Sequence, residues 1–288
     1  LIFTNLWFVG IQKIFMKKKS SINLCDYRGT YDSLETMLKK YNLYCEYLDL
    51  LCVPCEADEV WLGSEFCENL FLCYSTEHYQ EKINFFKTQG LNVLIAIPEL
   101  HEINFGNIMC IIEQMGNVDG FVVNDIGTAL KVHSKFPNKK LILGRSFDKS
   151  VREIRLEPSK ICKKYEQETD NIFGGISDST HLSFFKSIGA MGITTDSVPF
   201  LKTNFSNIEY PIYFQYPRIV LSQAAICEFS QVDGNNPLMG CKFGCFNYAK
   251  NYNLSNLSVI KMGKIIFYKE KRAIDQCVSG DVRLVYTL

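Results

Sequence analysis

Short apolar segments alternate with amphipathic segments along most of the chain, and this alternation constrains the fold more than any other feature. Segment 91–100, LNVLIAIPEL, is almost entirely apolar, as expected for a strand buried on both faces of a sheet. Segment 76–90 before it has helical spacing, with Thr76 as the predicted cap and Gly90 as the predicted end. Further strands are predicted at 21–27, 57–63, 118–125, 139–145, 191–199 and 210–217.

Strands and helices that alternate in this way predict parallel βαβ units. About seven such strands favour a closed or nearly closed (β/α) TIM-like barrel. The alternative is a doubly wound sheet, but no glycine-rich phosphate-binding loop follows the first strand. Beyond residue 222 the pattern changes to a Cys-, Gly- and Asn-rich loop, a hairpin turning at Met262 and Gly263, and a strand at 281–287. The predicted parts are an N-terminal extension (1–20), a barrel-like domain (21–222) and a Cys-rich strand appendage (223–288).

The charge balance and the N-terminal segment indicate which partners and which compartment to expect. The chain carries 31 basic and 31 acidic residues, so nucleic acid, which normally requires a basic excess, is not an expected partner. Segment 1–15 is apolar but is interrupted by Asn5, Gln12 and Lys13, so it is too short and polar to span a membrane. It also lacks a signal-peptide cleavage site, and Met16 looks like a natural start that would make 1–15 an upstream extension. We therefore expect a cytoplasmic protein without a membrane span.

Three of the twelve cysteines lie on the loop after the last predicted barrel strand. Cys241 and Cys245 directly follow Gly240 and Gly244, and thirteen residues separate Cys227 from Cys241. In a reducing compartment such thiols are candidates for metal binding. Three thiolates leave a Cys₄ site one ligand short.

Two places in the chain could supply the fourth thiolate. Cys67 follows the predicted strand 57–63, and the loops after the strands of a barrel meet at one mouth. Cys52 and Cys55 precede that strand and would lie toward the opposite rim, and their CxxC spacing also suits zinc or a redox pair. We predict Cys67 as the fourth ligand, with Cys52 or Cys55 as the alternative. The cysteines predicted to be core residues are Cys25, Cys45, Cys110 and Cys162.

Polar residues at or just past the predicted strand ends are candidates for chemistry, because barrel enzymes place their active sites there. Glu65 and His101 could transfer protons. The guanidinium of Arg145 could bind a carboxylate of a substrate through two hydrogen bonds, or it could form a structural ion pair. Asn124 and Asp125 are interpreted as helix caps. The full set is Glu65, Glu99, His101, Asn124, Asp125, Arg145 and Asp196.

Several of these segments together resemble peptidase family U32, and specifically its UbiV-like branch. ADEVWLGSEFC (57–67) is similar to the opening signature of the branch, and PRIVLSQAAICEFSQVDGNNPLMGCKFGC (217–245) is similar to its second cysteine segment. NVDGFVVNDIGTALKVHSKFP (117–137) resembles its mid-domain element, and VIKMGKIIFYK (259–269) resembles the strand pair that follows the cysteines. The resemblance covers most of residues 57–270, and its specificity lies in one early cysteine combined with the late CxnCxxxC.

The resemblance implies a cofactor, a reaction and a partner. UbiV-like proteins hold a [4Fe-4S] cluster on four cysteines, which correspond here to Cys67, Cys227, Cys241 and Cys245. They act with a UbiU-like partner as a heterodimer in anaerobic, oxygen-independent hydroxylation during ubiquinone biosynthesis. The substrate is a small quinone precursor, and prephenate is implicated as the hydroxyl donor.

Other functions are compatible with the same residues. Relatives in this family hydroxylate tRNA or ribosomal RNA, and the same four thiolates could instead hold structural zinc in a non-catalytic binding protein. The chain contains no Ser/His/Asp or HExxH arrangement that would support peptidase activity.

Overall fold

The structure is a computed structural model of the chain. The residues that it describes are 20–25, 57–148, 176, 179–198, 202–224, 227–228, 241, 243–246, 249–254 and 257–287. The predictions that fall outside them concern the extension up to residue 19 and the cysteines Cys45, Cys52, Cys55 and Cys162.

Parallel strands close into a barrel, as the alternating sequence pattern predicts. In chain order the strands are β1 (Ser20–Asn23), β2 (Ala57–Gly63), β3 (Asn92–Ile97), β4 (Gly120–Val123), β5 (Lys140–Leu143), β6 (Gly192–Asp196), β7 (Thr203–Asn204), β8 (Ile212–Tyr216), β9 (Arg218–Gln223), β10 (Lys250–Leu254), β11 (Leu257–Met262), β12 (Ile265–Lys269), β13 (Val278–Ser279) and β14 (Val282–Thr287). The closed barrel has the order β1-β14-β8-β6-β5-β4-β3-β2, and all neighbouring strands in it are parallel.

The last strand corrects one sequence-based expectation. Segment 281–287 is predicted as part of the appendage, but β14 lies inside the barrel between β1 and β8. Leu284 is in register with Ser20 on one side and Phe214 on the other. Without β14 the strands β1 and β8 would each present an unpaired edge, and closure of the barrel removes both edges.

Helices follow several of the strands along the chain. They are α1 (Glu68–Leu72), α2 (Thr76–Thr88), α3 (Glu102–Gln114), α4 (Ile126–Lys135), α5 (Ser179–Ser187) and α6 (Ile274–Cys277). The cap of α2 is Ser75 rather than Thr76, because the Ser75 Oγ accepts a hydrogen bond from the backbone N–H of His78 at 3.3 Å. Asp125 caps α4, as predicted, and its Oδ1 accepts from the backbone N–H of Thr128 at 2.7 Å. Among the described residues, none of the helices combines the length and the apolar character needed to cross a membrane.

The barrel interior contains an apolar middle layer between two polar layers. The middle layer includes Trp61, Leu94, Val122, Ile142, Tyr213 and Val285. The layer toward the strand starts, here called the amino-end layer, consists of Ser21, Glu59, Lys140 and Arg283. The layer toward the strand ends, here called the carboxyl-end layer, consists of Asn23, Glu65, Arg145, Asp196, Gln215 and Thr287.

A second, antiparallel sheet follows the barrel strand β8, in the order β10-β11-β12-β9. The hairpin between β11 and β12 turns at Gly263, where the sequence predicts it. Phe66, from the loop after β2, packs with Val220, Ile265 and Phe267 of this sheet. This contact holds the second sheet over the carboxyl ends of the barrel strands, which is the end where barrel proteins place their sites.

Candidate functional site

The turn after β2 carries four consecutive residues, 65–68, to the mouth of the barrel. Gly63 has φ +99°, and a Cβ on it would lie 2.4 Å from the carbonyl oxygen of Ala96, so a larger residue does not fit there. The backbone N–H of Ser64 donates to the Ala96 oxygen at 3.0 Å, and the Ser64 Oγ accepts from the backbone N–H of Cys67 at 3.1 Å. These contacts fix the positions of Glu65, Phe66, Cys67 and Glu68.

Glu65 is fully buried and its carboxylate is surrounded by donors. Its Oε2 accepts from a terminal nitrogen of Arg145 at 2.6 Å and from Asn23 Nδ2 at 2.7 Å. Its Oε1 accepts from Arg145 Nε at 3.3 Å and from Gln215 Nε2 at 3.4 Å. The other terminal nitrogen of Arg145 donates to Asp196 Oδ1 at 3.3 Å. Of the two interpretations of Arg145, the structure contains the structural ion pair, and Glu65 serves as its acceptor.

A pocket of about 390 Å³ lies between the barrel mouth and the second sheet. This volume is in the range that holds small organic ligands. His101, Arg145 and Asp148 line it on the barrel side, and Phe66, Gln223 and Lys264 are among its other walls. Arg145 therefore faces the pocket even though its charge is shared by two buried carboxylates.

His101, a predicted proton-transfer residue, is held in this pocket wall by Glu68. Nδ1 of His101 lies 2.6 Å from Glu68 Oε1, and the backbone N–H of His101 donates to Glu68 Oε2 at 3.1 Å. Glu68 is 2% exposed, whereas the side chain of His101 is 36% exposed. His101 is also the N-cap residue of α3. The sequence therefore indicates the histidine but not its carboxylate partner.

Cys67 lies close enough to Cys241 and Cys245 to interact with them electrostatically. Burial is the main reason that the pKa of the Cys67 thiol is raised to about 12, and Cys241 and Cys245 also raise it. A hydrogen bond from the Leu70 backbone and the positive charge of Lys264 act in the opposite direction. A metal that binds Cys67 must therefore displace a proton from it.

The remaining predicted ligands lie along the second sheet. Cys245 is next to the hairpin turn, since a Cβ on Gly263 would lie 3.8 Å from the Cys245 Sγ. Cys227 directly precedes Glu228, whose carboxylate pairs with Lys250 and Lys261 of β10 and β11.

The described residues do not by themselves form a metal site. Among the described residues, no group of three or more His, Cys, Asp or Glu side chains is close enough to hold a metal ion. The structure brings Cys67 into the neighbourhood of Cys241 and Cys245 without forming a four-thiolate site. Cys52 and Cys55 lie outside the described residues, so the alternative fourth ligand stays open.

Two other sequence-based predictions are wrong. Asn124 is not a helix cap, because its buried amide donates to the Ile97 carbonyl at 3.0 Å and accepts from the Ser146 backbone N–H at 3.3 Å. It thereby supports the turn that carries Arg145 to the pocket.

Cys110 is exposed on α3 rather than buried, whereas Cys25 is buried as predicted.

Sequence reasoning missed three residues of this region, namely Glu68, Cys73 and Lys264. Cys73 lies within electrostatic range of Cys241, and its pKa is raised mainly by burial. Glu68 directly follows Cys67, which is the one sequence signal that could have drawn attention to it. Lys264 stands in a hairpin turn, where a lysine is ordinarily a solvated surface residue.

Comparison with known proteins does not assign a family. No protein-family model matches the chain, and no curated protein matches it. The similarity to UbiV-like proteins therefore stays a prediction from the motifs.

Proposed function

We propose that this chain is a [4Fe-4S]-binding, UbiV-like subunit of an oxygen-independent hydroxylase that acts in the cytoplasm. In this proposal Cys67, Cys227, Cys241 and Cys245 hold the cluster, and the pocket at the barrel mouth receives a small quinone precursor. A UbiU-like protein is the partner, and prephenate is the hydroxyl donor.

One observation carries the proposal: three successive residues after β2 connect the thiols to the pocket. Phe66 lines the pocket, Cys67 interacts with Cys241 and Cys245, and Glu68 holds His101 in the pocket wall. A cofactor on the cysteines would therefore be adjacent to a ligand in the pocket. This is the arrangement that a cofactor-dependent reaction requires.

The donor chemistry of the four cysteines suits the cluster. Thiolates are the usual ligands of iron–sulfur clusters, and they also suit zinc. A bound cluster would supply one-electron transfer beside the pocket, and four cysteine ligands would leave no iron open to the substrate. Deprotonation of Cys67 would accompany binding of the cluster.

Anaerobic purification followed by metal analysis tests the cofactor. We expect a brown protein with about four irons per chain and a broad visible absorption band that bleaches on reduction. A colourless protein with one zinc per chain would contradict the cluster and support the zinc-stabilised binding protein instead.

Cys67→Ala tests the ligand assignment, with Cys110→Ala as the matched control. Cys110 is an exposed cysteine on α3, so its loss should leave the iron content unchanged. Cys67→Ala should lower the iron content strongly, because a four-thiolate site loses one ligand. Unchanged iron in Cys67→Ala would overturn the assignment and direct attention to Cys52 or Cys55.

Activity is tested by co-expression with a UbiU-like protein in anaerobically grown cells. We expect hydroxylated quinone intermediates, detected by mass spectrometry, to form with the native chain and to be lost with Cys67→Ala. Retention of RNA that is sensitive to salt, without quinone intermediates, would support the tRNA or ribosomal RNA alternative.

A further inference from the structure

His101 lines the pocket, and its imidazole pairs with the buried carboxylate of Glu68 behind it. We propose that His101 accepts a proton from a ligand in this pocket and that Glu68 is its positioning residue. The ligand class that fits is a small organic molecule presenting a hydroxyl group to Nε2 of His101.

The hydrogen bonds of Glu68 determine where the proton of the neutral imidazole resides. One carboxylate oxygen contacts Nδ1 of His101 at 2.6 Å, and the other accepts the backbone N–H of the same residue at 3.1 Å. An ionised carboxylate has acceptor sites only, so Nδ1 must carry its hydrogen to form this contact. The lone pair of the neutral ring is then on Nε2.

The burial of the two side chains shows which edge of the ring is accessible. Glu68 is 2% exposed, and it holds the Nδ1 side of the ring. The His101 side chain lines the pocket and is 36% exposed, and because Glu68 holds Nδ1 we infer that Nε2 is the ring nitrogen on the cavity side. The backbone is held as well, because the His101 carbonyl accepts the N–H groups of Asn104 and Phe105 at the start of α3. Hydrogen bonds to the imidazole and to the main chain of His101 thus hold this residue in place.

Positive charge in the same pocket suits the product of such a transfer. The proton moves from the ligand oxygen to Nε2, the electron pair of the O–H bond stays on the oxygen, and the resulting imidazolium faces the Glu68 carboxylate. Lys264 lines the cavity and forms no ion pair with a carboxylate of the described residues. Its ammonium can stabilise the ligand oxyanion. Of the acidic side chains that line the cavity, Asp148 already accepts the Thr195 hydroxyl at 2.7 Å, and Glu99 lies among the other walls.

Histidine acylation with diethyl pyrocarbonate, mapped by peptide mass spectrometry on the protein as purified, tests the accessible lone pair. The reagent is small enough to enter the pocket, and it acylates only an unprotonated imidazole nitrogen. The exposed His181 on α5 serves as the internal reference. We expect His101 to be acylated at least as fast as His181, although His181 is the more exposed of the two. A His101 that resists acylation in the native protein would overturn the proposal.

Glu68→Gln tests the positioning role. A glutamine has one acceptor oxygen and one NH₂ donor, so one of the two positions now held by carboxylate oxygens would present a donor to an N–H group of His101. We expect severalfold slower acylation of His101 at an unchanged rate for His181. The matched control is Glu77→Gln, which alters an exposed glutamate of α2 and should leave both rates unchanged. Equal acylation of His101 in the native protein and in Glu68→Gln would show that Glu68 does not position the ring.

Long-range ¹H–¹⁵N correlation spectra of native protein labelled at histidine report the tautomer without any substitution. The chain has four histidines, so His101 can be assigned by its loss in His101→Gln. The expected result is a neutral form with hydrogen on Nδ1, and hydrogen on Nε2 would overturn the proposal. The acylation rates do not depend on iron content, so a failure there is distinguishable from a failure of the cluster proposal.

Discussion

The two polar layers of the barrel interior are built around similar buried glutamates but around different cations. In the amino-end layer, Glu59 Oε1 accepts from Ser21 Oγ at 2.7 Å and from Trp61 Nε1 at 2.9 Å, and Oε2 accepts from Lys140 Nζ at 2.7 Å. In the carboxyl-end layer, Glu65 accepts from Asn23, Gln215 and the guanidinium of Arg145.

The cations that lie closest to the two glutamates, Lys140 and Arg145, differ in their access to water. The Lys140 side chain is 33% exposed at the base of the barrel, whereas the Arg145 side chain is 3% exposed and contacts two buried carboxylates. Only the carboxyl-end layer adjoins the pocket, His101 and the thiols. A buried, fully hydrogen-bonded glutamate is therefore not by itself a sign of function, because both layers contain one. Arg145 of the carboxyl-end layer lines the pocket at the barrel mouth, and none of the residues of the amino-end layer lines that pocket.

The largest effect is expected from Arg145→Met in the carboxyl-end layer. Met has a similar length, but the substitution removes the guanidinium that pairs with the buried carboxylate of Glu65 and contacts Asp196. We expect the free energy of unfolding, measured by urea denaturation, to fall by about 3–5 kcal/mol. A loss below about 1 kcal/mol would show that water or other groups replace the guanidinium.

Lys140→Met is the equivalent change in the amino-end layer, and its effect should be smaller. Glu59 keeps its hydrogen bonds from Ser21 and Trp61, and the Lys140 ammonium is already partly hydrated. We expect a loss of about 1–2 kcal/mol in the same urea measurement. The control Lys131→Met alters an exposed lysine of α4 and should change stability by less than about 0.5 kcal/mol. A loss as large as that of Arg145→Met would remove the distinction between the layers.

The smallest effect is a difference in alkaline sensitivity. Burial lowers the pKa of Lys140, but the Glu59 carboxylate outweighs it, so the pKa lies above its ordinary value of 10.5. A raised pKa in the folded state gives a stabilisation that is complete below pH 10.5 and is lost as the pH rises through the folded-state pKa. The difference in the free energy of unfolding between native protein and Lys140→Met should therefore shrink in alkaline urea titrations. The guanidinium of Arg145 keeps its charge at these pH values, so loss of that charge should not reduce the corresponding difference for Arg145→Met. A constant difference for Lys140→Met would contradict the ion pair with Glu59.

Much of the barrel could be predicted from local sequence. The strands β3 to β5 and β8 are short, mainly apolar segments that are buried on both faces, and amphipathic helices separate several of them. The hairpin turn at Gly263 and the Asp125 cap also depend on neighbouring residues only, so the sequence indicates them correctly. The last strand, β14, was misplaced because nothing in its own residues shows that its partners are β1 and β8.

The site was predicted only in part. Glu65, His101 and Arg145 were correctly placed near the barrel mouth, because each follows a strand end. That Glu65 and Arg145 neutralise each other is a contact between residues far apart in sequence. Glu68 was missed for the same reason, since its partner His101 follows a different strand.

By itself the sequence determined the alternation of strands and helices, the positions of the polar residues at strand ends and the set of thiols available for a metal. These properties depend on the residue and its near neighbours. Only the tertiary structure decided which strand closes the barrel, which charges neutralise each other and that Glu68 holds His101 toward the pocket. The physical reason is that burial and hydrogen bonding are set by the residues brought into contact when the barrel closes, and those residues lie on different strands.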